Sequence, residues 1–128
     1  MLILLPPSEG KATSGDGPRL DVGALTLPGL AAHRERVMAA LNGLCSGPED
    51  TARDVLGLSV SQTEALKRNL DLTTAPTLRA ADLYTGVLYD RLGLPGLLTE
   101  HDDRVRERIL VFSGLWGVVG PEIGRAHV

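Results

Sequence analysis

Two short apolar runs, Leu2-Ile3-Leu4-Leu5 and Ile109-Leu110-Val111-Phe112, bracket a chain that is otherwise amphipathic. Each is too short for a helix and is closed by breakers, Pro6-Pro7 in the first case and Ser113-Gly114 in the second, so both read as buried strands. Between them helical spacing dominates. Leu30, Val37, Met38, Leu41 and Leu44 repeat on one side of the stretch from Pro28 to Leu44, with His33, Arg34, Glu35 and Arg36 mostly on the other, which predicts an amphipathic helix. Ser46-Gly47-Pro48-Glu49 reads as a capping box opening a helix to about Leu56, ended by Gly57. Ser61 with Glu64 reads as a second box, opening a helix through Ala65, Leu66 and Leu70 whose other face offers Lys67, Arg68 and Asn69. After Pro76 a helical turn through Leu78 and Ala81 is expected, then an irregular or extended piece at Tyr84 to Gly86 and a short helix to Leu92. Thr99 to Arg108 is strongly charged and carries a Thr99/Asp102 cap signal, which predicts an exposed helix running into the second strand. Strands separated mostly by helices point to an α/β architecture.

The first strand leads into Ser8-Glu9-Gly10-Lys11, where a hydroxyl, a carboxylate and an ammonium fall within one turn of a loop that glycine can bend sharply. Such a group can bind an oxyanion, share a proton or form a surface ion pair. A nucleotide-binding P-loop is excluded: Leu5 stands where its first glycine is required, and Ala12 follows Lys11 where a magnesium-binding hydroxyl is needed. The loop from Ser8 to Leu20 lacks apolar periodicity and is long for a simple connection, as functional loops are. If the two strands are parallel neighbours, Ser8, Glu9 and Lys11 meet Ser113 and Gly114 at the strand ends, where open α/β sheets place ligands. Trp116 and the glycines around it suit a core anchor and a tight turn equally well.

Composition narrows the options. The apolar share of 43% and a formal charge of −3 suit one soluble domain, and argue against a surface that is basic throughout. The N-terminal run is too short to span a bilayer and lacks the flanks of a signal peptide, so a cytoplasmic location without membrane contact is expected. With a single cysteine, Cys45, neither an internal disulfide nor a thiolate metal site can form, and its spacing from Met38 and Leu41 places it on the apolar side of a helix as a buried thiol. Neither a metal nor a cofactor is expected. The only four aromatic residues, Tyr84, Tyr89, Phe112 and Trp116, all lie in the second half.

Three segments, LILLPPSEGK, LYTGVLYDRLGLPGL and ILVFSGLWGVV, together resemble the YaaA family of peroxide-stress proteins in order and spacing. The resemblance implies a mixed α/β fold with a positively charged cleft, a role in limiting oxidative damage when hydrogen peroxide rises, and binding of double-stranded DNA. It places the family motifs on Pro7, Ser8, Glu9, Gly10 and Lys11, on Tyr84, Thr85 and Gly86, and on Ser113, Gly114, Trp116 and Gly117. No catalytic assignment comes with it. Where the third motif is expected to continue with Val-Val-Arg-Pro, this chain has Val118-Val119-Gly120-Pro121, so an arginine able to contact phosphate is missing.

The resemblance also implies a longer protein. The residues Ile123-Gly124-Arg125-Ala126-His127-Val128 are what ATC GGA AGA GCA CAC GTC encodes, the start of a common sequencing adapter whose next codon is TGA. The expectation is that residues 1–121 form the N-terminal portion of a single domain, that 122–128 are a non-native tail, and that a sheet incomplete at the C-terminus leaves Ile109 to Phe112 with an unpaired edge. Two function classes follow. A DNA-binding stress protein would draw phosphate contacts from Lys11, Arg34, Arg36, Lys67, Arg68, Arg104, Arg106 and Arg108, although the last three alternate with Asp102, Asp103 and Glu107 as on a solvated helix. An enzyme or small-ligand binder would use Ser8, Glu9 and Lys11 as an anion site, with the Tyr84 hydroxyl donating or orienting a proton.

Overall fold

The computed structural model describes residues 1–8, 10–12, 15–122 and 124–125. The chain forms a mixed α/β fold: β1 (Ile3–Leu5), β2 (Gly17–Arg19), α1 (Ala31–Ser46), α2 (Glu49–Leu56), α3 (Glu64–Leu70), β3 (Pro76–Arg79), α4 (Ala80–Leu83), α5 (Val87–Leu92), α6 (Leu94–Arg108), β4 (Ile109–Ser113), β5 (Gly117–Val119) and β6 (Gly124–Arg125). Its main sheet is mixed, in the order β1-β4-β5. β1 and β4 are parallel neighbours, Ile3 opposite Ile109 and Leu5 opposite Val111, and β5 returns antiparallel with Val119 opposite Val111. A second small sheet pairs β3 with β2 and β6.

The register sorts the side chains of the main sheet. Leu5, Ile109, Val111 and Val119 share one face and are buried, in a core completed by Trp116, Leu83, Leu94, Leu98, Val105 and the two tyrosines. A smaller cluster of Cys45, Ala52 and Leu66 ties α1 to α2 and α3, so the thiol is buried as its spacing predicts. α2 ends at Gly57, whose φ of 67° is the left-handed conformation that closes a helix and that glycine adopts without strain.

Several expectations are corrected. The run Leu2 to Leu5 is not buried throughout: Leu2 is 56% and Leu4 50% exposed, because β1 is an edge strand with one face uncovered. The edge expected along Ile109 to Phe112 is open only in part: β4 pairs with β1 at Ile109, Leu110 and Val111 and with β5 at Val111, Phe112 and Ser113, so Ile109 and Leu110 lack a partner on the β5 side among the described residues. Val118 and Val119 form β5, for which no strand is expected, and Leu78, read as a helical turn, lies in β3, where pairing with β2 and β6 overrides local preference. The stretch from Ser8 to Leu20 contains β2. Neither expected capping box forms: the Ser46 hydroxyl donates back to the Asn42 carbonyl within α1, and the box that does form joins Ser59 and Gln62, one turn ahead of α3. α6 begins at Leu94 rather than Thr99, and its helical dihedrals break at His101. Val37, placed with the apolar side of α1, is exposed, while Arg34, placed with the solvated side, is only 2% exposed.

Arg34 is the polar centre of the fold. From α1 its Nε donates to the Trp116 carbonyl at 2.9 Å, Nη1 to the Leu27 carbonyl at 3.1 Å, and Nη2 to the Thr26 carbonyl. The Thr26 hydroxyl in turn accepts from the Gly120 amide at 3.2 Å. One side chain thus joins the turn before α1 to the β4–β5 hairpin, and it holds a turn in which Leu27 has a φ of 59°, a strained value for a side chain of that size.

Candidate functional site

The loop after β1 is fastened by its backbone. The Thr85 amide donates to the Gly10 carbonyl at 3.0 Å and the Ala12 amide to the Leu83 carbonyl at 2.8 Å, so that Lys11 forms an antiparallel bridge with Tyr84. A Cβ at Gly10 would lie 2.7 Å from Thr85 Oγ1, so a larger residue there would have to displace that hydroxyl. The Ser8 hydroxyl turns inward and donates to the Gly10 carbonyl at 2.5 Å. Tyr84 is buried; the Lys11 ammonium stands 5.9 Å from its ring centroid, and the Tyr89 ring stacks on it with centroids 5.3 Å apart. An ammonium over a ring face is attracted by the ring quadrupole.

Tyr89 is not among the residues expected here, although it lies within the same central motif. Its hydroxyl donates to the Pro6 carbonyl, which pins the C-terminal end of β1 against α5. Burial pushes its phenol up to about 12. A phenol harder to ionise in the folded state than in the unfolded one, whose value lies near 10, stabilises the fold fully below pH 10; that contribution disappears as pH rises through 12. Unfolding titrations should show a stability decline from pH 10 to 12 that Tyr89→Phe abolishes. At neutral pH that variant should cost about 1 kcal/mol through the lost hydrogen bond.

Ser8, Gly10, Lys11, Tyr84 and Thr85 therefore belong to one cluster. Ser113 and Gly114 stand at the same end of the main sheet, because β1 and β4 are parallel, but the Ser113 hydroxyl is engaged locally, accepting from the Trp116 amide at 3.1 Å. Trp116 is fully buried and offers a ligand no surface. Glu9 lies outside the described residues. Among the described residues no group of three His, Cys, Asp or Glu could hold a metal ion, and no helix is long and apolar enough to cross a membrane.

The cations expected to meet phosphate part company. Arg34 is removed from that role by burial. Lys67 pairs with Glu64 at 3.1 Å, and Arg106 is held by Asp102 at 2.8 Å, which raises its affinity for its proton through that hydrogen bond. Arg104 and Arg108, one helical turn apart on α6, make neither an ion pair nor a hydrogen bond among the described residues. With His101, Val105, Ile3 and Ile109 they line a shallow, open and mostly apolar depression of about 210 Å³ at the N-terminal end of the parallel strand pair, opposite the loop cluster.

Residues 1–123 match the family model described as peroxide stress protein YaaA. A UPF0246 protein of Streptomyces coelicolor is 52% identical over 119 residues, which cover 93% of this chain and 46% of that protein. A UPF0246 protein of Corynebacterium glutamicum strain R is 39% identical over the same share of each, and an uncharacterized protein of Campylobacter jejuni is 28% identical over 93% of this chain and 48% of its own length. The chain thus spans slightly under half the length of these relatives. The match runs through the loop cluster, α6 and the β4–β5 hairpin alike, and with it the chain belongs to the YaaA family of peroxide stress proteins.

Proposed function

We propose that this chain is one part of a longer peroxide stress protein that limits oxidative damage by binding double-stranded DNA, and that Arg104 and Arg108 supply its phosphate contacts. The observation that carries the reading is the contrast within one helix: Asp102 neutralises Arg106, whereas Arg104 and Arg108 stand together on a concave surface with no carboxylate bonded to either among the described residues. Two guanidinium groups one turn apart can each meet a phosphate oxygen, and a chain of net charge −3 needs such a local patch to approach a polyanion.

Fluorescence anisotropy with labelled duplexes of unrelated sequence tests this. Arg104→Ala and Arg108→Ala should each weaken binding by a similar factor on every duplex, about fivefold or more at low salt, because phosphate contacts carry no sequence information. Arg106→Ala should change it little. Unchanged affinity in the Arg104 and Arg108 variants, or a loss confined to one sequence, would refute the assignment.

A further inference from the structure

The face of the main sheet opposite the core is apolar and, among the described residues, largely exposed. By register it carries Leu4 and Leu110, then Phe112 and Val118, with Leu2 continuing the row; Leu2, Leu4 and Phe112 are 56%, 50% and 43% exposed. None of these positions is charged. A parallel pair such as β1 and β4 is joined by a crossover, and all-parallel sheets are covered by helices on both faces, whereas a sheet face left to water normally carries polar residues. The outer edge of β1 is likewise open: it is paired only with β4 among the described residues and carries no lysine, although its three-residue length and the Pro6-Pro7 directly after it confine further pairing to a short stretch.

We infer that this face and the β1 edge form an internal interface, covered by the region that the relatives carry outside their matched 119 residues. That region makes up more than half of each relative, enough to supply both a strand alongside β1 and a layer over Leu4, Leu110 and Phe112. The inference rests on the reading of the chain as part of a longer polypeptide; it is independent of DNA binding. A second copy of this chain is the competing occupant, since an open edge can pair with itself.

Co-expression of this chain with the unmatched portion of the Streptomyces coelicolor relative is the test. The expected result is a soluble one-to-one complex by size-exclusion chromatography with light scattering, weakened at least tenfold by Leu4→Glu or Phe112→Glu and unaffected by Val87→Glu, which alters an exposed apolar residue on α5. Circular dichroism of each variant alone checks folding, and Leu4→Ala with Phe112→Ala replaces any glutamate variant that fails to fold. A complex that tolerates these substitutions overturns the interface while leaving the longer-polypeptide reading intact. Failure to recover the second polypeptide in a soluble complex overturns both. A homodimer of this chain alone, broken by Leu4→Glu, overturns the inference in favour of the second copy.

Discussion

Replacing Arg34 by alanine is expected to destabilise the fold severely, whereas the same change two residues on, at exposed Arg36, should lie within about 0.5 kcal/mol of neutral. The difference follows from what each guanidinium touches. Arg34, itself buried, satisfies the Trp116 carbonyl in the interior and the Thr26 and Leu27 carbonyls in a partly buried turn. Removing it leaves them without a donor, releases the left-handed turn at Leu27, and opens a void between α1 and the β4–β5 hairpin. A cost of about 3 to 5 kcal/mol is expected, a large share of the roughly 5 to 15 kcal/mol that separates folded from unfolded domains. Arg34→Lys keeps the charge but not the planar fork, and should recover only a minor part. Urea midpoints for the four proteins would settle the order; equal midpoints for the Arg34 and Arg36 variants would contradict the role given to Arg34.

The second large effect is expected at Trp116. Its ring is fully buried in the main core, so Trp116→Ala should cost about 3 to 5 kcal/mol. Its indole Nε1 has no hydrogen-bond partner among the described residues, so Trp116→Phe gives up no bond and should cost about half as much. Because Arg34 grips the Trp116 carbonyl, loosening of the hairpin by either substitution affects the other. The Arg34→Ala/Trp116→Ala double variant should therefore fall short of the sum by at least about 0.5 kcal/mol, read from the same denaturation curves. Strict additivity would show that the Arg34 clasp and the Trp116 packing are not energetically coupled.

Both effects concern contacts that no local pattern announces. The apolar runs at Leu2 to Leu5 and Ile109 to Phe112, the helix over Ala31 to Ser46, the glycine stop at Gly57 and the extended turn at Tyr84 could be read along the chain because each depends on neighbours within a few residues. Arg34 could not. Helical spacing groups it with His33, Glu35 and Arg36, and it takes a carbonyl 82 positions away, with two from the preceding turn, to turn a surface cation into a buried clasp. β3 and β5 were missed for the same reason, since strands of four and three residues take their identity from a partner.

The loop cluster divides along that line too. The strand end marked out Ser8, Gly10 and Lys11, and the family resemblance added Tyr84 and Thr85, which the loop's backbone bonds join to them. Tyr89, which completes the ring stack, carried no signal beyond its place in the same motif. The alternation of charges on α6 made Arg104, Arg106 and Arg108 look equivalent, whereas the helix turns Arg106 toward Asp102 and leaves Arg104 and Arg108 on the depression.

The most direct measurement is the salt dependence of duplex binding, plotted as log affinity against log salt for the wild-type chain and for the Arg104→Ala/Arg108→Ala double variant. If both arginines meet phosphates, the wild-type line should fall steeply and that of the double variant should be shallower by about 1.8 log units per log unit of salt, about 0.9 for each contact. Two parallel lines, or wild-type binding that is absent or indifferent to salt, would contradict the assignment of this surface to DNA.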